Sequence, residues 1–165
     1  AEAALDALAG VLHACVHAGA SVGFVLPFPP EEARAYWAQA VLPGVAAGRR
    51  RLFAAWAPSG GRLVGTAQLV LDTMPNQRHR ADVAKVLVHP AARRAGVARA
   101  LMRAAEAAAL GGGRTLLTLD TRRGDAAEPL YLGLGYAVAG VIPRYCRAPD
   151  SERLDDTTVM YKHLA

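Results

Sequence analysis

The stretch from Val83 to Met102, VAKVLVHPAARRAGVARALM, constrains the chain more than any other. Its opening residues are mostly apolar and β-branched, the pattern of a short strand, and the run stops at His89-Pro90. A basic turn follows, Arg93-Arg94-Ala95-Gly96-Val97-Ala98, and a helical pattern starts at once. A helix entered in this way leaves its first backbone N–H groups without partners and aims the positive end of its dipole at the turn. Such a turn is a seat for phosphate.

Two familiar phosphate turns do not fit. A dinucleotide fold needs G-x-G-x-x-G, with an acidic residue about 20 positions on. Asp120 lies at roughly that distance, but Gly96 is the only glycine in the turn. Two helices and a hairpin also precede the unit, whereas a dinucleotide domain opens with it. No Gly-Lys-Ser/Thr is present, which excludes the P-loop.

The flanking pattern predicts an α/β fold. Apolar residues at helical spacing in 2–18 (Leu5, Leu8, Leu12, Cys15, Val16) predict a first helix closed by Gly19. The segment 20–30, ASVGFVLPFPP, is an apolar loop, expected to pack down as a lid or to line a pocket. A second helix is expected over 31–47, bent or broken at Pro43. Strands are expected at 51–57 and 62–71, joined by Pro58-Ser59-Gly60-Gly61, and at 81–88, 114–120, 136–142 and 157–164. A long helix over 97–110 ends at Gly111-Gly112-Gly113, and a short one covers 125–133. This order predicts a mixed sheet with helices on both faces. At 165 residues, one domain over 1–165 is the expectation.

Composition narrows the function. The net charge of +5 is carried almost entirely by arginine, but no aromatic-interleaved basic stripe or helix-turn-helix pattern points to nucleic acid. No run approaches the roughly 18 apolar residues of a membrane span. Glu2 and Asp6 make the N-terminal helix unlike a signal peptide. Cys15 and Cys146 do not make a disulfide framework, so a reduced, cytoplasmic protein is expected. His13 and His17 share a helix face, but no third ligand is in view, so no metal site is predicted.

Arg93, Gly96 and Ala98, directly after Val88-His89-Pro90, fit Arg/Gln-x-x-Gly-x-Gly/Ala, and Tyr131-x-x-x-Gly135-Tyr136 follows downstream. Together these resemble the acetyl-CoA turn and following helix of the GNAT N-acetyltransferases, over nearly the whole chain. Other segments are similar to the tabtoxin-resistance branch of that family: Gly19 to Phe24, Ala67-Gln68-Leu69, Pro75-Asn76, Arg80-Ala81, Leu119-Asp120-Thr121, and Pro143 to Asp150. Asp82 stands where that branch carries Glu. The family's usual first strand is not found, so the sequence is expected to begin inside the fold.

The resemblance implies a GNAT-type, mostly antiparallel mixed sheet and an acetyl-CoA-dependent transfer to an amine. It places pantetheine along Leu87 and Val88. It places the pyrophosphate on the N–H groups of Arg93, Arg94, Ala95, Gly96, Val97 and Ala98, with the side chain of Arg93, Arg94 or Arg99 adding charge-assisted bonds. Tyr131 takes the role of general acid at the CoA sulfur. Asp120 or Asp82 holds the acceptor ammonium or relays its proton. The acceptor pocket is expected from Ser21, Phe24, Asn76, Arg80 and Tyr145, with Arg78, His79 or Arg80 suited to a carboxylate. A small amine, plausible as a toxin or antibiotic, is the expected acceptor. A protein or peptide amine, and a non-catalytic acyl-CoA sensor, remain alternatives. Dimers are common in the family, and a homodimer is expected by that analogy alone.

Overall fold

The structure is a computed structural model and describes residues 2–58 and 60–165. Helix α1 (Glu2–His17) buries Leu8, Val11, Leu12, Cys15 and Val16 along one stripe. The predicted helix over 31–47 forms three pieces: α2 (Pro30–Ala35), a π-helical segment (Tyr36–Val41) and α3 (Leu42–Ala46). Pro43 is the physical cause. It has no N–H to donate back along the helix, and the wider turn just before it lets the Leu42 N–H reach the Trp37 carbonyl instead. The same segment buries Trp37 and Val41 completely.

The sheet has six strands: β1 (Arg50–Trp56), β2 (Leu63–Val70), β3 (Arg80–Val88), β4 (Leu116–Arg122), β5 (Ala137–Arg147) and β6 (Leu154–His163). Their order is β1-β2-β3-β4-β6-β5. Only β3 and β4 are parallel; every other pair is antiparallel. Helix α4 (Val97–Gly111) links those two parallel strands, and α5 (Ala127–Gly133) follows β4.

The sheet separates two apolar layers. On one face Leu12, Val16, Phe28 and Trp37 pack with Leu63 and Leu87. On the other, Met102, Ala105 and Ala109 of α4 pack with Leu69, Ala81, Leu117 and Met160. Helices therefore cover both faces, as the pattern predicts.

A bulge in β3 sets up the functional cleft. Val83 belongs to the α4 layer and Leu87 to the α1 layer, although both are odd positions of one strand. Side chains alternate across a strand, so one residue must step out between them. The register against β2 slips there, and Lys85 takes a left-handed backbone with φ 49°. Beyond Asp82–Thr118, β3 no longer pairs with β4, although both strands continue, to Val88 and Arg122. The two strands splay, and the β4-facing edge of β3 from Val83 to Val88 is left open.

Two strands are longer than expected. Strand β5 runs through Pro143 to Arg147, and β6 starts at Leu154. Pro143 is accommodated because β5 is an edge strand, and its register jumps between Ile142 and Cys146. Within that jump the Arg144 N–H donates to Asp156 Oδ1 at 2.9 Å rather than to the ladder.

Candidate active site

Between the splayed halves of β3 and β4 lies a cleft of about 1070 Å³. One wall is β3 from Val83 to Val88; the other is Leu119 to Arg122 of β4. The basic turn closes one end with Arg93, Arg94, Gly96, Val97, Ala98 and Arg99. The loop after α1, from Gly19 to Val25, covers a side, while Tyr131 of α5 and Tyr145 to Arg147 of β5 complete it. That loop does both things expected of it. Phe28 is buried against α1, and Ser21 to Phe24 face the cleft.

The turn fits a phosphate group. Arg94 and Gly96 adopt left-handed backbones, with φ 66° and 76°. Alternation of this kind points successive N–H groups to the same side. The Arg93 N–H donates to the Pro90 carbonyl at 3.4 Å, and the next amide of the turn that finds a helical partner is Ala100, which donates to the Gly96 carbonyl at 3.0 Å. Nothing lies within 4 Å of a Cβ placed on Gly96, so the backbone is open there to a ligand. With the unpaired edge of β3, this gives an extended seat for a chain that ends in pyrophosphate.

Beyond the turn the cleft holds the groups for chemistry. Tyr131 is buried, its ring 5.8 Å from that of Tyr136. Burial, and then the negative charge of Asp120, push its pKa up to about 12. The Thr157 hydroxyl, 3.0 Å from Asp120 Oδ2, holds that carboxylate in place. Cys15 also lines the cleft, its thiol donating to the Val88 carbonyl at 3.3 Å. Burial raises its pKa, while the charge of Arg93 opposes the rise.

The expected site residues divide into two groups. Leu87, Val88, Arg93, Arg94, Gly96, Val97, Ala98, Arg99, Asp120, Tyr131, Ser21, Phe24 and Tyr145 all line the cleft. Ala95 sits in the turn, exposed, but outside the lining. Asn76, Arg80 and Asp82 are not brought there. Asn76 lies exposed in a 3₁₀ turn that enters β3 at the end away from the splay. Arg80 and Asp82 pair with each other, N···O 2.5 Å, where β3 and β4 are still hydrogen-bonded. Arg80 also donates to Gln77 Oε1 at 2.8 Å, and the Thr118 hydroxyl donates to Asp82. The bulge comes after both residues, so neither reaches the open part of the strand. Lys85, at the bulge itself, does line the cleft and was not among the expected site residues. Its signal was a lysine set among the apolar residues of VAKVLV, Val83 to Val88.

The rings of His13 and His17 lie tilted at 31° with centroids 4.1 Å apart, and His17 Nε2 pairs with the Phe28 carbonyl at 2.9 Å. Among the described residues, no group of three or more His, Cys, Asp or Glu is placed to hold a metal ion.

Residues 17–136 match the acetyltransferase (GNAT) family, a span that contains the turn, both splayed strands and Tyr131. The chain belongs to the GNAT acetyltransferases. Solved structures of the same fold cover it almost end to end. A ribosomal-protein-alanine N-acetyltransferase from Brucella melitensis is 22% identical with TM-score 0.77, covering 99% of this chain and 96% of its own. A GCN5-related N-acetyltransferase from Kribbella flavida is 23% identical with TM-score 0.79, covering 99% and 94%. The yncA protein from Salmonella typhimurium, solved with its cofactor acetyl-CoA, is 19% identical with TM-score 0.79, covering 100% and 91%. As a member of that family this GNAT protein is an acetyltransferase, an enzyme that uses acetyl-CoA. No helix among the described residues is long and apolar enough to cross a membrane.

Proposed function

We propose that this GNAT enzyme transfers the acetyl group of acetyl-CoA to the amine of a small molecule, by direct attack with donor and acceptor bound together. One observation carries the reading. The open edge of β3, the free N–H groups of the turn, Tyr131 and Asp120 all face one cleft. In this reading the turn from Arg93 to Arg99 holds pyrophosphate, with arginine side chains adding charge-assisted bonds. Backbone groups of Leu87 and Val88 pair with the pantetheine. Asp120 attracts the acceptor's ammonium and passes its proton toward solvent, since the attacking amine must be neutral. Tyr131 donates a hydrogen bond to the sulfur as the thiolate leaves.

The acceptor side favours a small molecule. The loop from Gly19 to Val25 and the end of β5 wall the acceptor side of the cleft, which supports a compact acceptor. Resemblance to the tabtoxin-resistance branch makes a toxin or antibiotic the candidate, in a resistance role. Both cysteines are free, which agrees with a reducing, cytoplasmic setting. A homodimer belongs to the same reading: β5 is a sheet edge and exposes Val138, Val141, Ile142 and Tyr145.

Thiol release from acetyl-CoA tests the reading, with a panel of β-lactam amino acids, lysine analogues, other small amines and short peptides. The expected result is highest kcat/KM for a free small amine. Release with peptides alone would favour a protein acceptor, and none with any amine would favour an acyl-CoA sensor.

A further inference from the structure

Lys85 is the cation of the cleft that acetyl transfer, as described, leaves unused. The bulge in β3 turns its side chain toward the acceptor end. Its Nζ lies 5.7 Å from the ring centroid of Phe24 and 5.6 Å from that of Tyr36. Gly23 lies across from it, and a Cβ there would stand 3.5 Å from Nζ, so the glycine keeps the space above the ammonium clear. No salt bridge engages Lys85 among the described residues. Burial holds its pKa below the usual lysine value; Asp120 opposes that shift and Arg50 adds to it.

The other cations of the cleft are occupied or lie elsewhere. Arg122 pairs with Asp125 and Asp155, and Arg147 pairs with Glu152. Arg93, Arg94 and Arg99 belong to the pyrophosphate turn. Across from Lys85, Asp120 accepts from Thr157 but makes no salt bridge among the described residues. The acceptor end therefore presents one free positive and one free negative group, with aromatic rings beside the positive one. The Lys85 ammonium is partly desolvated, and Asp120 acts on it as an opposite charge without forming an ion pair, so a ligand that brings an anion against it offsets the cost of burial.

We propose that Lys85 binds a carboxylate or other anionic group of the acceptor while Asp120 receives its amine, so the substrate class is a small zwitterionic amine. This rests on the small-amine reading above and adds what selects among such amines. One irregularity then serves both substrates. The β3 bulge frees the strand edge for the donor and delivers Lys85 to the acceptor.

The test compares amino acids with their carboxamides, which keep the amine and lack the charge. Values of kcat/KM are measured at saturating acetyl-CoA for the wild-type chain, Lys85→Met and Lys85→Arg. The ratio between variants cancels the different basicity of the two amine series. Methionine keeps the unbranched stem of lysine, so the left-handed backbone is no more strained than before. Wild type is expected to prefer the acids. Lys85→Met should lose on the order of 100-fold with the acids, mainly through KM, and less than about 3-fold with the amides. Lys85→Arg should keep the order of preference. Equal losses with both series, or no preference in wild type, overturn the inference and leave the small-amine reading standing. If no member of either series and no other small amine of the panel releases thiol, the small-amine reading falls. Calorimetric titration of the acids into protein loaded with acetyl-CoA then decides Lys85 alone. Binding that Lys85→Met abolishes supports the assignment, and absence of binding to wild type overturns it.

Discussion

Tyr131 keeps its proton across the pH range in which an acetyltransferase is assayed. With a pKa of about 12, it lies far above the roughly 8.5 of an ordinary thiol. It acts in the proposed reaction as a fixed donor to the departing sulfur, and it imposes no alkaline limb of its own on the rate. Replacement by Phe removes that donor with little change in volume. We expect kcat to fall by about 10²-fold or more while acetyl-CoA affinity, measured by calorimetry, stays within about 2-fold. Lys85 titrates in the other sense. Its anion-holding form is the charged one, and burial holds its pKa below the usual lysine value. Asp120 on β4 pulls that value up, Arg50 on β1 pushes it down, and Tyr36, whose own pKa is raised by burial, faces it as a neutral phenol. As pH rises, the ammonium is lost, so KM for an anionic acceptor should climb before the ordinary lysine range is reached. In Lys85→Arg, which stays charged, that climb should be absent. A KM that is flat through that range in wild type would contradict the account.

At the level of elements, the decisive contacts are those that fix α4 against the splayed strand. A Cβ on Gly65 of β2 would lie 2.8 Å from Val97 Cγ1, 2.9 Å from the Leu87 carbonyl and 3.1 Å from Leu101 Cδ1. Backbone and helix start are both too close to yield, so Gly65→Ala should destabilise the fold by about 1–3 kcal/mol in a denaturant titration. It should also weaken acetyl-CoA, because the displaced part of α4 carries the turn. Stability lost with unchanged acetyl-CoA affinity would separate α4 placement from donor binding. Legibility in the sequence follows the same division. Helix α4 and the strands on either side of it were readable from period and punctuation, since each is local and its ends are marked by His89-Pro90 and the triple glycine. The π-helical segment was not. Pro43 foretold a break, but not that the turn before it would widen so that the Leu42 N–H reaches the Trp37 carbonyl. Nor was the bulge at Lys85 legible, because nothing within VAKVLV shows that the strand changes faces. That becomes visible only when α1 and α4 claim opposite sides.

For the whole molecule, the sheet with helices on both faces followed from element order, while the cleft was only half legible. Its donor half is one continuous stretch, Leu87 to Arg99. Its acceptor half is assembled from residues 21–24, 85, 120 and 145, which are far apart in the chain, and the expected Asn76 and Arg80 lie outside it. The exposed apolar positions of β5 carry a prediction at this scale. Ile142→Glu, in the middle of that edge, should convert a dimer to a monomer in sedimentation equilibrium; a wild-type chain that is monomeric at high concentration would remove the dimer from the account. The central claim is that one cleft, opened by the divergence of β3 from β4, receives acetyl-CoA. Amide chemical shifts, followed while acetyl-CoA is titrated into the ¹⁵N-labelled protein, test it most directly. The account predicts the largest changes at the N–H groups of Arg94 to Arg99 and of Val86 to Val88, with Asn76 and Arg80 little affected. Changes centred on the Asn76 turn, with the Arg94–Arg99 amides unmoved, would contradict it.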